Sequence, residues 1–200
     1  MKASRTLLKT TLEYTNNKRI MKIQLKHVAY LFVLLLIIEV VNLSTGRLLN
    51  QFSIIPRELG ALPFIFTAPL LHASLQHFLS NIFTLCIFAF LLMQFGHRQF
   101  VITTGLLIIG TGLLVWLFGR HAFHLGASGV IYGYFGFLVL AGFLSKKISL
   151  MLISIAVAFF YGTMVWGVLP SQPYISWESH LFGFIVGLLI AWAMGKKAYI

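Results

Sequence analysis

The chain contains no aspartate, and its few acidic residues are all glutamates. This absence excludes an active site built on two aspartates, and it also excludes a Ser-His-Asp triad. Serine chemistry would need a serine–histidine dyad or a triad completed by glutamate. The sequence also lacks His-Glu-x-x-His, the usual helical motif of zinc proteases. The four acidic residues are Glu13, Glu39, Glu58 and Glu178.

Charge and cysteine are also scarce. Only 10% of the residues are charged, whereas 59% are hydrophobic and the mean hydropathy is +0.92. A 200-residue chain of this composition cannot cover a water-soluble domain with polar surface, so it is predicted to lie in a lipid bilayer. Cys86 is the single cysteine, so no disulfide can form within the chain.

Six hydrophobic runs predict an all-α membrane protein, a bundle of six transmembrane helices. Most breaks between the runs are short, so successive helices should be antiparallel. The predicted spans are residues 28–45, 70–95, 100–118, 125–144, 148–169 and 180–194.

The sequence divides into a tail and a membrane domain. Residues 1–27 are predicted to form a basic cytoplasmic N-terminal tail, and residues 28–197 the six-helix domain. The first loop, about residues 46–69, is too long for a simple turn and contains three prolines. We therefore expect it to be partly structured and to lie at the membrane surface.

The formal net charge of +11 follows the predicted topology. If the N-terminus is cytoplasmic, twelve of the fifteen cations lie on the cytoplasmic side, and only Arg47, Arg57 and Arg120 lie outside. This is the positive-inside pattern, and it places both termini in the cytoplasm. The cations are not clustered on a soluble face, so we predict attraction of the tail to anionic lipid and no binding of nucleic acid.

Four polar residues lie near the extracytoplasmic starts of three predicted helices. His77 and Asn81 are on the second helix, Ser128 is on the fourth and His180 opens the sixth. Polar groups at membrane depth are costly and usually mark function. A neutral histidine can remove the proton of a serine hydroxyl as it attacks a carbonyl.

The same residues can stabilise the negative charge that develops on the attacked carbonyl. The backbone N–H of Ser128, at the N-terminus of a helix, is one candidate donor. His77 and Asn81 are four residues apart on one helix face, so their side chains could supply two more. We therefore predict Ser128 as nucleophile, His180 as base, and an oxyanion site formed by Ser128, His77 and Asn81.

Small residues predict close packing of the fourth helix on the sixth. Gly126 and Gly129 flank the serine, and Gly183 and Gly187 form a small-xxx-small pattern on the last helix. Such residues let membrane helices approach closely, although the pattern is common in membrane bundles. This packing would bring Ser128 towards His180.

Three motifs, which follow one another along the chain in the family's order, resemble those of the rhomboid family of intramembrane serine proteases. They are Gly-Ala-Ser-Gly at 126–129 with Tyr132, His-Leu-Phe-Gly at 180–183 with Gly187, and His72-x4-His77-x3-Asn81. The resemblance covers about residues 28–197 and implies a six-helix rhomboid fold. It assigns the nucleophile to Ser128, the base to His180 and oxyanion stabilisation to His77 and Asn81. Tyr132 resembles the aromatic residue that packs against the catalytic histidine.

The chain departs from the family pattern at two positions. Many members carry Trp-Arg in the first loop, where this chain reads Leu62-Pro63-Phe64, and many carry a glutamate near the end of the second helix, where Gln94 is the nearest polar residue. Both departures bear on loop packing and subfamily more than on the dyad.

The remaining polar residues receive structural interpretations. His72 is expected to hydrogen-bond within the first loop, and Glu39 to lie near the outer interface or face the bundle. Glu178 is two residues from His180, so it should not complete a triad. His121 and His124 lack companion thiolates or carboxylates, so we predict no metal, and no organic cofactor is implied.

The predicted function is cleavage of transmembrane segments of membrane proteins, in a protein located in a bacterial inner membrane. That location rests on chain size and on the resemblance. Two other functions stay open: a rhomboid-like protein that binds transmembrane helices without cutting them, and a small transporter with His77, His180 and Glu39 on a polar path. The sequence lacks the inverted repeat typical of many transporters. Natural substrate and oligomeric state are left open.

Overall fold

The computed structural model describes residues 2–170 and 174–195, and six of its helices are long and apolar enough to cross a membrane. This confirms the predicted six-helix, all-α fold. The helices are α1 (Lys2–Ser44), α2 (Leu75–Met93), α3 (His97–Phe118), α4 (Ser128–Ser145), α5 (Ile148–Tyr161) and α6 (Trp177–Gly195).

Helix α4 is the centre of the bundle. In its membrane-spanning window 72% of the residues are buried, against 17% to 39% in the other five helices. The other helices therefore surround α4, whereas they themselves expose most of their residues. Tyr134, Phe137 and Leu138 of α4 are almost fully buried in the main core, which also includes Phe88 of α2 and Leu107 of α3.

The first helix begins earlier than the predicted span, which started at residue 28. Helix α1 is continuous over 43 residues, so the predicted N-terminal tail is largely helical. Gln24 explains part of this extension, because its side chain donates to the carbonyl oxygen of Met93 at 3.1 Å. Gln94 donates to Gln24 Oε1 at 3.1 Å, so amide side chains join α1 to the end of α2.

Three other helix boundaries differ from the predicted ones. Helix α2 begins at Leu75 and not at residue 70, because Ser74 caps it by accepting a hydrogen bond from the His77 backbone N–H at 3.1 Å. The fifth span becomes a 3-10 helix over Gly162–Val168. Helix α6 begins at Trp177, so His180 lies inside its first turn and does not open the helix.

The first loop is partly structured, as predicted. It contains short 3-10 helices at Leu48–Phe52, Leu59–Ile65 and Ala68–Leu70. Ile54 forms an isolated antiparallel bridge with His124, with backbone hydrogen bonds of 2.9 and 3.1 Å. The first loop is therefore hydrogen-bonded to the α3–α4 connection, which precedes Ser128.

Candidate functional site

Ser128 is the first residue of α4 and follows a turn that requires glycine. Gly126 has a φ of +121°, a region that residues with side chains rarely adopt, and its N–H donates to Ala68 O at 2.9 Å. A Cβ atom at residue 126 would lie 2.6 Å from His77 Cε1. Gly126 thus lets the loop before Ser128 lie directly against the His77 ring.

His180 is held by two contacts. Its Nδ1 lies 2.8 Å from the carbonyl oxygen of Gly167, and its ring stacks on Tyr132 with centroids 4.1 Å apart and planes 7° from parallel. A carbonyl oxygen can only accept, so in the neutral ring Nδ1 carries the proton and Nε2 is the basic nitrogen. Gly167 was not singled out in the sequence, because no local pattern links it to a histidine on the next helix.

The four predicted polar residues line one cavity. Ser128, His180, His77 and Asn81 surround it together with Tyr132, and its volume is about 610 Å³. Residues from α2, α4 and α6 thus line the same cavity. The site contains a hydroxyl, an imidazole with a basic nitrogen and several hydrogen-bond donors.

Asn81 and His77 lie one helical turn apart on α2. The Asn81 amide donates to the His77 backbone oxygen at 2.6 Å, which fixes the amide and uses one of its two N–H groups. Asn81 is otherwise buried, whereas His77 is half-buried beside the His72 ring, with centroids 5.2 Å apart. The amide's second N–H is the one with which Asn81 could donate to a ligand.

His72 differs from its expected role. Its side chain is almost fully buried, and its Nδ1 and Nε2 have no hydrogen-bond partner within the described residues. Its ring packs edge-on against His77 and Phe78. Burial first, and then the neighbouring His77 and Arg47, lower the pKa of His72 to about 3. The residue is structural, but through ring packing and not through side-chain hydrogen bonds.

The backbone carbonyl of His72 provides the loop hydrogen bonds instead. It accepts from Arg47 Nη1 at 3.0 Å and from the Asn50 and Asn42 amides at 3.3 and 3.5 Å. Arg47 Nη1 also lies 2.7 Å from Glu39, which is buried and faces the bundle. Glu39 therefore belongs to the junction between α1 and the start of α2.

Glycines allow α4 and α6 to touch through their backbones. A Cβ atom at Gly183 would collide with the carbonyl oxygen of Gly129, and one at Gly187 would collide with that of Gly133. A Cβ atom at Gly129 itself would lie 3.4 Å from Ser179 O. The predicted close contact between these helices is present, and it brings the Ser128 and His180 elements together.

Polar residues near the dyad connect the α3–α4 loop to the start of α6. Glu178 pairs with Arg120, with Nε and Oε1 3.4 Å apart, so it does not serve His180 as a third member. His124 is buried and bonded to Ser176, and burial lowers the pKa of its imidazole. Exposed His121 lies 3.5 Å from Glu58 Oε1. The two loop histidines therefore have separate protein partners.

Sequence comparison identifies the family. The Rhomboid domain model matches residues 60–197. An uncharacterized protein of Mycobacterium tuberculosis is 32% identical over 170 residues, covering 80% of this chain and 71% of that protein. An uncharacterized protein of Mycobacterium leprae is 31% identical over 170 residues, covering 80% of this chain and 67% of that protein.

A plant protein shows a similar level of identity. Rhomboid-like protein 11, chloroplastic, of Arabidopsis thaliana is 30% identical over 151 residues, which cover 65% of this chain and 51% of that protein. With the domain match and the six apolar helices, this chain belongs to the rhomboid family and is a multi-pass integral membrane protein.

Proposed function

We propose that this chain is an intramembrane serine endopeptidase that cleaves transmembrane segments of membrane proteins, with Ser128 as nucleophile and His180 as general base. The observation that supports the proposal is one cavity whose lining includes Ser128, His180, His77 and Asn81. The tautomer of His180 supports it, because the Gly167 carbonyl leaves Nε2 able to accept a proton.

The first half of the reaction forms an acyl-enzyme. Nε2 of His180 takes the Ser128 hydroxyl proton while Oγ attacks the substrate carbonyl carbon. The oxyanion is stabilised by the Ser128 backbone N–H and by donors from His77 and Asn81. The tetrahedral intermediate then collapses, the C–N bond breaks, and the protonated His180 gives its proton to the departing amine.

The second half releases the other product. Water enters the cavity, His180 removes one of its protons, and the resulting nucleophile attacks the acyl carbon. The ester bond to Ser128 breaks, Ser128 regains its proton from His180, and a new carboxylate leaves. Every step uses groups of this chain and water.

The substrate segment must expose a peptide bond before attack. A transmembrane helix hides its carbonyls in backbone hydrogen bonds, which are costly to break in lipid. We therefore propose that helix-breaking residues near the outer end of the substrate favour cleavage.

The orientation is also part of the proposal. The cations Lys18, Lys22, Arg98 and Lys146 lie at the membrane end opposite to the Ser128 end of α4. By the positive-inside bias, the N- and C-termini are cytoplasmic and the cavity faces the extracytoplasmic side. A bacterial inner membrane is the proposed location. The C-terminal cations Lys196 and Lys197 lie outside the described residues.

The deciding experiment compares the parent with Ser128→Ala and His180→Ala on a model transmembrane substrate in liposomes. Each variant should lose at least about 10³-fold in cleavage rate, because members of a catalytic unit are individually required. Ser154→Ala is the matched control: Ser154 is a buried serine on α5 that bonds to Leu138 O, so its loss should spare cleavage.

Two results would overturn the proposal. Equal cleavage by the parent and Ser128→Ala would remove Ser128 as nucleophile. A parent that cross-links to transmembrane helices but cuts none of a broad substrate panel would instead be a helix-binding protein.

A further inference from the structure

Two segments beside the candidate dyad are joined by polar contacts that the reaction itself does not use. One is the loop of residues 120–124, shortly before Ser128. The other, residues 175–179, leads into α6 directly before His180. Any shift between these segments would change the separation of the two reacting groups.

The first link is a charge pair between a buried carboxylate and a partly exposed arginine. Glu178 Oε1 lies 3.4 Å from Arg120 Nε and also accepts the Arg120 backbone N–H at 3.3 Å. The Arg120 guanidinium donates in addition to the Ile175 carbonyl oxygen. Glu178 is only 2% exposed, so separation of the pair would leave an unpaired charge in a poorly solvated position. The loop therefore has few alternative positions.

The second link is a chain of hydrogen bonds in which the donor and the acceptor of each bond are fixed. His124 Nε2 lies 2.9 Å from the Arg120 carbonyl oxygen, which can only accept, so Nε2 of the neutral ring carries the proton. Nδ1 must then accept from the Ser176 hydroxyl at 2.6 Å. Ser176 Oγ in turn accepts from the Ser179 hydroxyl, also at 2.6 Å. A chain of hydrogen bonds thus runs from Ser179 on α6 to His124 in the loop.

The hydrogen-bond chain reaches α4, the helix that carries Ser128. Ser179 packs against Gly129, where a Cβ atom would lie 3.5 Å from Ser179 Cβ. Gly129 follows Ser128 directly, and Ser179 precedes His180 directly. Ser179 therefore joins the hydrogen-bond chain to the residue that follows Ser128 and to the residue that precedes His180.

We propose that Arg120, His124, Ser176 and Glu178 form a loop clamp that sets the position of Ser128 relative to His180. These are positioning residues for the proposed protease function, on which this inference rests. The clamp acts on the chemical step, because it holds the dyad. Docking of a transmembrane substrate between the helices does not depend on it.

The test uses two variants, each with a matched control. Glu178→Gln removes the carboxylate charge of the clamp. Glu39→Gln removes the charge of the other buried carboxylate that pairs with an arginine, at the α1–α2 junction. His124→Phe removes the hydrogen bonds of a buried ring, and Tyr134→Phe does the same for a buried ring on α4 whose hydroxyl contacts Thr104 at 2.8 Å. Neither control residue lies in the loop or at the dyad.

Three quantities are measured in detergent. They are the rate of Ser128 labelling by a small fluorophosphonate, kcat and KM on the transmembrane substrate, and the melting temperature. Glu178→Gln and His124→Phe should each lower kcat and the labelling rate about tenfold or more with KM unchanged, because small misplacements of reacting groups cost 10- to 100-fold. The controls should lose stability but keep the parental labelling rate.

Labelling at the rate of the matched controls would overturn the clamp. The clamp would also be overturned if the labelling rate fell in proportion to the loss in melting temperature in all four variants, because the effect would then reflect stability alone. If Glu178→Gln does not fold, His124→Phe decides the matter, because it retains the ion pair.

Failure of the protease function would be recognised separately. A parent that is neither labelled nor active would refute that function. Hydrogen–deuterium exchange then tests only whether the clamp joins the loop of residues 120–124 to residues 175–179. Faster exchange of residues 119–127 in both clamp variants, but in neither control, would support the mechanical link. Unchanged exchange would overturn it.

Discussion

At the residue scale, the backbone of Gly167 orients His180, the proposed base. Its carbonyl oxygen accepts the His180 Nδ1 proton, and a Cβ atom at this position would collide with the Tyr132 hydroxyl and lie 3.6 Å from His180 Nδ1. The ring that stacks on His180 and the acceptor that orients it therefore depend on the same glycine. Either contact alone would leave the imidazole less constrained.

We predict that Gly167→Ala lowers fluorophosphonate labelling of Ser128 about tenfold or more, because a displaced Tyr132 ring shifts His180. Gly162→Ala is the control in the same 3-10 segment, since nothing lies within 4 Å of a Cβ atom there. The control should label like the parent. Equal labelling by the two alanine variants would argue against a positioning role for Gly167.

Buried His72 predicts a loss of stability in acid. Its pKa is about 3 in the folded chain and about 6.5 when exposed on unfolding, so between these values the unfolded state binds more protons. Stability should therefore fall as pH decreases from about 6.5 towards 3, by up to about 1.4 kcal/mol per pH unit for this group. His124, whose pKa burial also lowers, acts in the same direction.

The measurement is unfolding in detergent across this pH range. His72→Phe keeps a buried ring between His77 and Phe78 but cannot titrate, so its stability should depend less steeply on pH than that of the parent. Ser154→Ala removes no titratable group and should retain the parental slope. A His72→Phe slope equal to the parental one would contradict the interpretation.

At the scale of elements, the α4–α6 contact is the joint that assembles the site. Its glycines place one helix backbone against the other, which no larger residue permits without separating the helices. The joint lies directly below Ser128 and His180. Helix packing and the geometry of the candidate site are therefore set by the same interface.

We predict that Gly187→Ala destabilises the fold by about 1–3 kcal/mol, the usual effect of forcing extra volume into a packed contact. The colliding atom is the Gly133 carbonyl oxygen, which belongs to the backbone and cannot rotate away. Thermal unfolding in detergent measures the change. Gly105→Ala on α3, where a Cβ atom meets nothing within 4 Å, should be neutral or slightly stabilising. Equal melting temperatures for the two variants would be incompatible with a tight α4–α6 contact.

On the scale of the whole molecule, α1 is attached to the bundle at its middle and near its C-terminal end, although little of its membrane-spanning part is buried. Gln24 bonds to the end of α2 near the predicted cytoplasmic side, and Glu39 with Arg47 holds the carbonyl of His72 near the other side. These two attachments fix the helix along the bundle. The first helix thereby supports α2, which carries His77 and Asn81.

We predict the orientation from the cations and test it with alkaline phosphatase fusions, which are active only when exported from a bacterial cytoplasm. Fusions after Arg98 and after Lys147 should be inactive, and fusions after Arg57 and after His121 should be active. Cell fractionation that shows equal amounts of each fusion protein provides the control. The reverse activity pattern would place the cavity on the cytoplasmic side.

Much of the fold and the candidate site could be predicted from the sequence, because the relevant signals are local. Runs of apolar residues specify helices in lipid regardless of their partners, and the four polar residues near helix starts needed only helix direction to be placed at one depth. Helix ends were less predictable. The Ser74 cap and the change to a 3-10 helix after Tyr161 depend on single hydrogen bonds and on local backbone geometry.

The sequence by itself determined that the chain lies in lipid, how many helices it forms and which residues are available for chemistry. Composition and hydrophobic runs are properties of the sequence that do not depend on contacts between distant residues. Only the tertiary structure decided which groups surround these residues. Examples are the Gly167 carbonyl on His180, the pairing of Arg120 with Glu178, and the burial of His72, whose ring nitrogens have no hydrogen-bond partner in the described part of the chain. The physical reason is that hydrogen bonds, ion pairs and desolvation depend on distances between atoms that are remote in sequence, and folding alone sets those distances.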